Sequence, residues 1–314
     1  MFIENFMLDL NLCVHPREKF WGIVINSLGA LIWLGFFFFS IKAGIPTFIG
    51  ICLGALIAGI ITLIYYWILE NLFKAIIFGN AIHVNQQQHP EIYQILEEQA
   101  KKLNVNKIPD TFILNGQGAV NAAASRILHR KYIFLFAELV DLSLERNEWD
   151  ELKMIIGHEM AHHKLGHTNP ALGLLRFWIS PVLFLILFYF ATISPIMEKT
   201  MPAEASFPKF PEHLSTIFLL LFVFSIFLKT AWRRGCELSC DRVGFSLTQN
   251  LKSSELALLS ITGGSRALSS KINAEAFKNQ EKDIPLFFAF LYEIFSEYPR
   301  MTKRIIELGK FVKK

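Results

Sequence analysis

Charge disappears from the chain in four blocks. Phe20–Ile41 runs 22 residues without a charged side chain and Thr47–Leu69 runs 23, with only Lys42-Ala43-Gly44-Ile45-Pro46 between them. Either block can cross the hydrocarbon core of a bilayer as a helix, which takes about 20 apolar residues. The Gly and Pro in the link predict a tight helical hairpin. Tyr65, Tyr66 and Trp67 stand where an interfacial aromatic belt belongs. Phe177–Ile193 and Leu214–Leu228 are shorter, at 17 and 15 residues. They span if Arg176 and Lys229 snorkel, which carries the fourth block to about Trp232. A buried core helix is the alternative for either of these two. Between the two pairs, apolar residues recur at helical spacing from Glu148 to Leu165, at Trp149, Leu152, Ile155, Ile156 and Met160.

Composition agrees with this division. The 314 residues include 31 Lys+Arg and 27 Asp+Glu, so 18% are charged, against 53% hydrophobic with 30 Phe. The four blocks total 77 residues and hold none of the charges, so the remaining 237 are about 24% charged, the ordinary soluble value. A disordered or fibrous chain is excluded. The net charge of +4 comes without a basic, aromatic-studded run, so no nucleic-acid partner is expected. Cys13, Cys52, Cys236 and Cys240 are too few and too scattered for a disulfide scaffold. Arg17, Lys19, Lys74, Arg176, Arg233 and Arg234 flank one side of the four expected spans, and only Lys42, Lys199 and Lys209 the other. The positive-inside rule therefore places both termini and the segment from 70 to 176 on the cytoplasmic side. The expected organisation is an N-terminal arm (1–19), a membrane hairpin (20–69), a first part of a cytoplasmic domain (70–171), a second hairpin (172–232) and a second part of that domain (233–314).

The chemistry lies between the hairpins. His158-Glu159-Met160-Ala161-His162 is an H-E-x-x-H sequence on the expected helix. There His158 and His162 share a face one turn apart, so both imidazoles can reach one ion, and Glu159 can take a proton from an attacking water. A catalytic zinc site needs a third protein ligand. Glu237 and Asp241 offer two carboxylates four residues apart, just beyond the fourth block. One can bind the metal while the other accepts the free N–H of a ligand histidine. Cys236 and Cys240 flank Glu237 and are expected to be small buried residues, a thiolate competing for the metal being the alternative.

H-E-x-x-H, a distal E-x-x-x-D and two bracketing pairs of membrane helices resemble the HtpX and CAAX prenyl protease family of membrane zinc metallopeptidases, the gluzincins. Two expected spans on either side of the motif resemble the HtpX branch. The resemblance runs well from Ala81 to Asp241 and loosely beyond. Val120-Asn121-Ala122-Ala123-Ala124 resembles the family's N-A-F-A strand, which implies that Asn121 and Ala122 bind substrate backbone. Lys131–Ala137 (KYIFLFA) alternates like the strand before the metal helix, and Glu138–Leu142 resembles a G-L-L-D-L turn with Glu138 in place of Gly. His167 has a family counterpart and is expected to support the site rather than ligate. The tail from Tyr298 to Ile305 resembles H-P-x-x-x-x-R-I with Tyr298 in place of His, so Tyr298 and Arg304 are candidates for oxyanion stabilisation or for anchoring the last helix.

The resemblance implies an α+β, mainly α fold: four transmembrane helices plus a cytoplasmic-side zincin-type metalloprotease domain with a small β-sheet. It implies one Zn(2+) per chain, held by His158, His162 and Glu237, with Asp241 behind a ligand histidine and Glu159 as the general base. It implies a hydrolase of the bacterial-type inner membrane, acting in stress response and protein quality control on misfolded membrane proteins or unfolded polypeptides. A CAAX-type processing peptidase is the alternative enzyme, and its enclosed chamber calls for more spans than these. A non-catalytic protein tied together by its metal is the other alternative, against which the intact Glu159 argues.

Overall fold

In the computed structural model, residues 7–42, 44–146, 149–169, 172–173, 212–264, 268 and 271–313 are described. The first two uncharged blocks fold as two helices, α2 (Pro16–Lys42) and α3 (Ile45–Asn80), after a single turn, α1 (Leu10–Cys13). Gly44, at φ 103°, makes the turn between them, and Pro46 starts α3 where its missing N–H costs nothing. At 36 residues α3 is about 54 Å long. Phe48–Asn80 within it is, among the described residues, the one helix that is long and apolar enough to cross a membrane. Leu53, Leu56, Ile57, Ile61 and Leu63 stand exposed along it. The fourth block lies in a second long helix, and the third, 177–193, falls outside the described residues.

The lower end of α3 is covered. Phe73 packs edge-on against Tyr132 and Phe134, and Phe78 against Phe112. These three are the aromatic face of a four-stranded mixed sheet of β1 (Ile82–His83), β2 (Asp110–Leu114), β3 (Ala122–Ile127) and β4 (Arg130–Phe136), in the order β1-β2-β4-β3. β4 runs parallel to β2, with Phe112 opposite Phe134, and antiparallel to β3, with Ala122 opposite Leu135. The alternating run 131–137 is thus β4, one residue earlier than its pattern suggests. Among the described residues β3 pairs on one side only, as an edge strand.

The other face of the sheet meets the main core. Helix α4 (Pro90–Lys102) turns Ile92, Ile95, Leu96 and Gln99 inward, and α5 (Ala137–Arg146) follows β4 directly. The turn expected at 138–142 is the opening of that helix. The helix expected from 148 to 165 is α6 (Asp150–Lys164), which is buried nearly all round. Against it lies α7 (Glu212–Thr248), 37 residues that carry the fourth uncharged block at one end and the E-x-x-x-D sequence towards the other. Trp21 and Val24 of α2 pack on Phe227, Leu228 and Trp232 of α7. Beyond α7 come α8 (Leu251–Gly263), α9 (Ala274–Asn279), a 3-10 turn (Gln280–Asp283), α10 (Leu286–Phe295) and α11 (Met301–Val312). Leu258, Leu259, Ile305 and Leu308 of α8 and α11 close the core. The molecule is mainly helical with one small mixed sheet.

Candidate active site and metal centre

Two glycines bring the two functional helices together. A Cβ on Gly244 of α7 would lie 2.6 Å from the carbonyl oxygen of Met154 on α6, and one on Gly157 of α6 would lie 3.3 Å from the Gly244 Cα. Only a residue without a side chain lets the two backbones approach so closely. His158 follows Gly157 directly, and Asp241 and Glu237 stand about one and two turns before Gly244. The crossing therefore sets the distance between the histidine pair and the carboxylates.

At that crossing His158 Nε2 and His162 Nε2 are 3.2 Å apart, and each is 3.4 Å from an oxygen of Glu237. Ligands about 2.05 Å from a tetrahedral ion are about 3.3 Å from one another. The histidine–histidine edge of 3.2 Å matches that spacing, and the Glu237 carboxylate turns one oxygen to each histidine. Cys240 Sγ also comes within reach of both histidines. Its thiol is held well above the usual thiol range, mainly by burial and next by the charge of Glu237. It lies 3.6 Å from His167 Nδ1. Glu237 and Cys240 are thus both within reach of the histidine pair as a third donor.

The remaining ring nitrogens decide which nitrogen is free for a metal. His158 Nδ1 is 3.0 Å from Asp241 Oδ1, so Nδ1–H donates to the carboxylate and Nε2 keeps its lone pair. His162 Nδ1 is 3.0 Å from His167 Nδ1, and His167 Nε2 is 2.9 Å from Glu18 Oε1. One proton assignment satisfies this chain with His162 Nε2 free: His162 donates to His167, and His167 donates to Glu18. Each histidine is backed by a carboxylate, His158 directly and His162 through His167. Arg304 of α11 closes the set from behind. Its Nε and Nη2 donate to the two oxygens of Asp241 at 2.8 and 2.6 Å, and its Nη1 is 3.6 Å from Glu237. Its guanidinium is spent on the two carboxylates.

The charges make this a cation site. Burial opposes a charged His158, but the bonds to Asp241 and Glu237 prevail and raise its pKa to about 10, so a bound metal takes the place of the Nε2 proton. Burial likewise opposes the Glu237 carboxylate, yet His158, His162 and Arg304 hold it well below the usual carboxylate range. Two buried carboxylates share one arginine, and the positive charge still wanted falls between the histidine nitrogens. Glu159 differs. Burial pushes it up to about 7, with His158 and Arg304 pulling down, and the backbone N–H of Ala124 donates to it.

His158, Glu159, His162 and Glu237 line a cleft of about 370 Å³. Asn121 to Ala124 line its rim along the unpaired side of β3, and Tyr298 and Pro299 stand on the loop between α10 and α11. Met154, Ile155, Leu258 and Ile261 give it an apolar flank. Asn121, Ala122, His158, Glu159, His162, Glu237, Tyr298 and Arg304 thus share one cavity, with Asp241 and His167 behind it. Sequence reasoning missed Glu18, a lone acid before the first apolar block with no motif around it. It also missed the two crossing glycines, of which Gly157 adjoins the motif in plain sight.

The geometry is that of a metal-dependent hydrolase. Residues 86–312 match the family model described as Peptidase family M48, most of the chain, and the chain belongs to that family, a family of zinc metallopeptidases. This is the family that the H-E-x-x-H and E-x-x-x-D motifs resemble, and the expectations of a hydrolase and of zinc as its metal stand with it. Among curated proteins the chain is similar to the plastoglobule-localized metallopeptidase 48, chloroplastic, of Arabidopsis thaliana, at 24% identity over 216 residues. That alignment takes in 68% of this chain and 51% of the plant protein, so the chain spans about half its relative's length. Among solved structures the crystal structure of S. mikatae Ste24p aligns with 91% of this chain and 63% of its own, at 15% identity and a TM-score of 0.44.

Proposed function

We propose that this chain is an integral-membrane, zinc-dependent endopeptidase of the HtpX type. In this reading four helices cross the membrane, with the catalytic domain and both termini on the cytoplasmic side. The observation that carries it is the convergence of His158 Nε2, His162 Nε2 and Glu237 at 3.2–3.4 Å on one wall of a cleft that also holds Glu159. His158, His162 and Glu237 hold the metal. When bound there, zinc supplies Lewis-acid polarisation of a carbonyl and acidifies water.

The chain's own groups do the rest. Asp241 and Arg304 fix His158, and Glu18 with His167 fixes His162, so that both Nε2 lone pairs face the cleft. An extended substrate adds to the free edge of β3, its backbone pairing with Asn121 and Ala122. Glu159, steadied by the Ala124 N–H, takes the proton of the attacking water and returns it to the leaving amine. Tyr298, which lines the cleft, faces the scissile carbonyl as a hydrogen-bond donor. α7 links bilayer and site, since it carries the fourth apolar block and Glu237 in one helix. That continuity supports membrane proteins and unfolded polypeptides as substrates, in a quality-control role. Purified without chelator, Glu159→Gln is expected to keep its zinc and lose cleavage of an unfolded membrane protein. Full activity in that variant would overturn the mechanism.

A further inference from the structure

Helix α10 (LFFAFLYEIF) is ten residues long, about 15 Å, half of what a membrane crossing needs. A helix of that length and apolarity is ordinarily buried in a core, yet none of its residues is buried. Leu286 is 88% exposed, Phe287 and Phe288 65%, and Phe295 68%. Its single acid, Glu293, is paired with Arg300 at 3.2 Å and with Lys303, which leaves no bare charge on the helix.

Its position is fixed by α7 at the point where the fourth apolar block ends. The Thr230 hydroxyl donates to the Ile294 carbonyl at 2.8 Å, and Arg234 donates to the carbonyls of Glu293 and Ser296. Arg17 and Trp21, where α2 enters the first apolar block, line the same small cavity with Phe227, Phe290 and Ile294. The indole of Trp21 stands edge-on to Phe227 at 5.4 Å. α10 is thus level with the ends of two apolar blocks, with Lys229 and Arg233 beside it, both paired with Glu297. An exposed apolar surface at that height, with its neighbouring charges paired, fits the boundary between acyl chains and headgroups.

We propose that α10 is an interfacial helix, its exposed Leu286, Phe287 and Phe288 inserted into the cytoplasmic leaflet. The inference rests on the membrane reading above. It also gives the cleft a position: α10 leads through Ser296 directly to Tyr298 and Pro299 on the cleft wall, so the cleft opens at headgroup level, where a segment leaving the bilayer first becomes extended.

The test uses the full chain in vesicles of phosphatidylcholine and phosphatidylglycerol. Cys52, the exposed cysteine, is replaced by Ser, and Cys13, Cys236 and Cys240 are buried. A bimane is then attached at Phe287→Cys, at Leu56→Cys within the second apolar block, or at the exposed Glu98→Cys. All three sites are exposed, so labelling leaves the core intact. Quenching by a lipid nitroxide high on the acyl chain is compared with quenching by aqueous iodide. The lipid probe is expected to quench positions 287 and 56 several-fold more than iodide does, and iodide to dominate at 98. Iodide dominating at 287 while 56 stays lipid-quenched overturns the proposal and leaves the membrane reading intact. Protection of 287 from both quenchers also overturns it, in favour of a covering protein surface such as a second copy. Iodide dominating at 56 removes the membrane reading and the proposal with it.

Discussion

Replacing Gly244 by Ala tests whether the helix crossing sets the metal geometry. The added Cβ would fall 2.6 Å from the Met154 carbonyl oxygen, where ordinary contact begins at 3.4 Å, so α7 must withdraw by about 0.8 Å. The obstacle is backbone and cannot rotate away. Overpacking of this kind costs about 1–3 kcal/mol, offset by the roughly 1 kcal/mol that Ala gains over Gly in a helix. Net destabilisation should therefore be modest. Zinc binding should suffer more, because a metal site tolerates about 0.2 Å of displacement. A loss of about 10–100-fold in zinc affinity is expected, as when a group backing a ligand is removed. Gly157→Ala meets chiefly the end of the Leu247 side chain, which can move, and should lose less. Gly309→Ala on α11 meets nothing within 4 Å and should bind zinc normally. Affinities come from competition with a chromophoric chelator, and stability from melting in detergent. Wild-type zinc affinity in Gly244→Ala would refute the reasoning.

Glu18→Gln should weaken zinc binding about tenfold, because the chain through His167 to His162 loses its charged end; unchanged chelator competition would remove Glu18 from the site. Arg304→Met should destabilise the fold by about 3–5 kcal/mol, since it leaves Asp241 buried without its cation. Equal urea midpoints for wild type and variant would contradict that. His15 is buried, and burial, then Arg242, lowers its pKa to about 4, so it folds neutral with Nδ1 accepting the Arg17 N–H at 3.0 Å. The unfolded chain binds this proton at about 6.5. Stability from this residue is therefore complete above pH 6.5 and lost as pH falls towards 4, by about 3 kcal/mol at most. His15→Asn should flatten the stability–pH curve in that window relative to wild type, and parallel curves would sink the assignment.

How much was legible in the sequence depended on how local each feature is. The histidine pair sits one turn apart on one helix, and that helix declares itself by its apolar spacing. β4 declares itself by alternation. β3 does not, since Ala122 to Ala124 carry no β-branched or aromatic signature, and only resemblance to a known strand marked it. Glu237 and Asp241 were visible as a spaced pair, but their partners were not. Arg304 is 63 residues from Asp241 and His167 149 from Glu18, and such contacts exist only once the helices cross. Tyr298 and Arg304 drew one shared expectation from sequence, whereas in the fold Arg304 turns to the carboxylates and Tyr298 to the cleft. α10 escaped notice because ten apolar residues fall short of a span, and nothing in its own pattern says that no core covers it.

The central claim is that α6 and α7 together present two imidazoles and the Glu237 carboxylate to one zinc ion. X-ray absorption at the zinc edge of the purified wild-type protein tests it most directly. The expected spectrum has nitrogen and oxygen neighbours at about 2.0–2.2 Å, two of them imidazole, and a loss of one oxygen neighbour in Glu237→Ala. A sulfur neighbour at about 2.3 Å, abolished by Cys240→Ser, would contradict it and make Cys240 the third ligand.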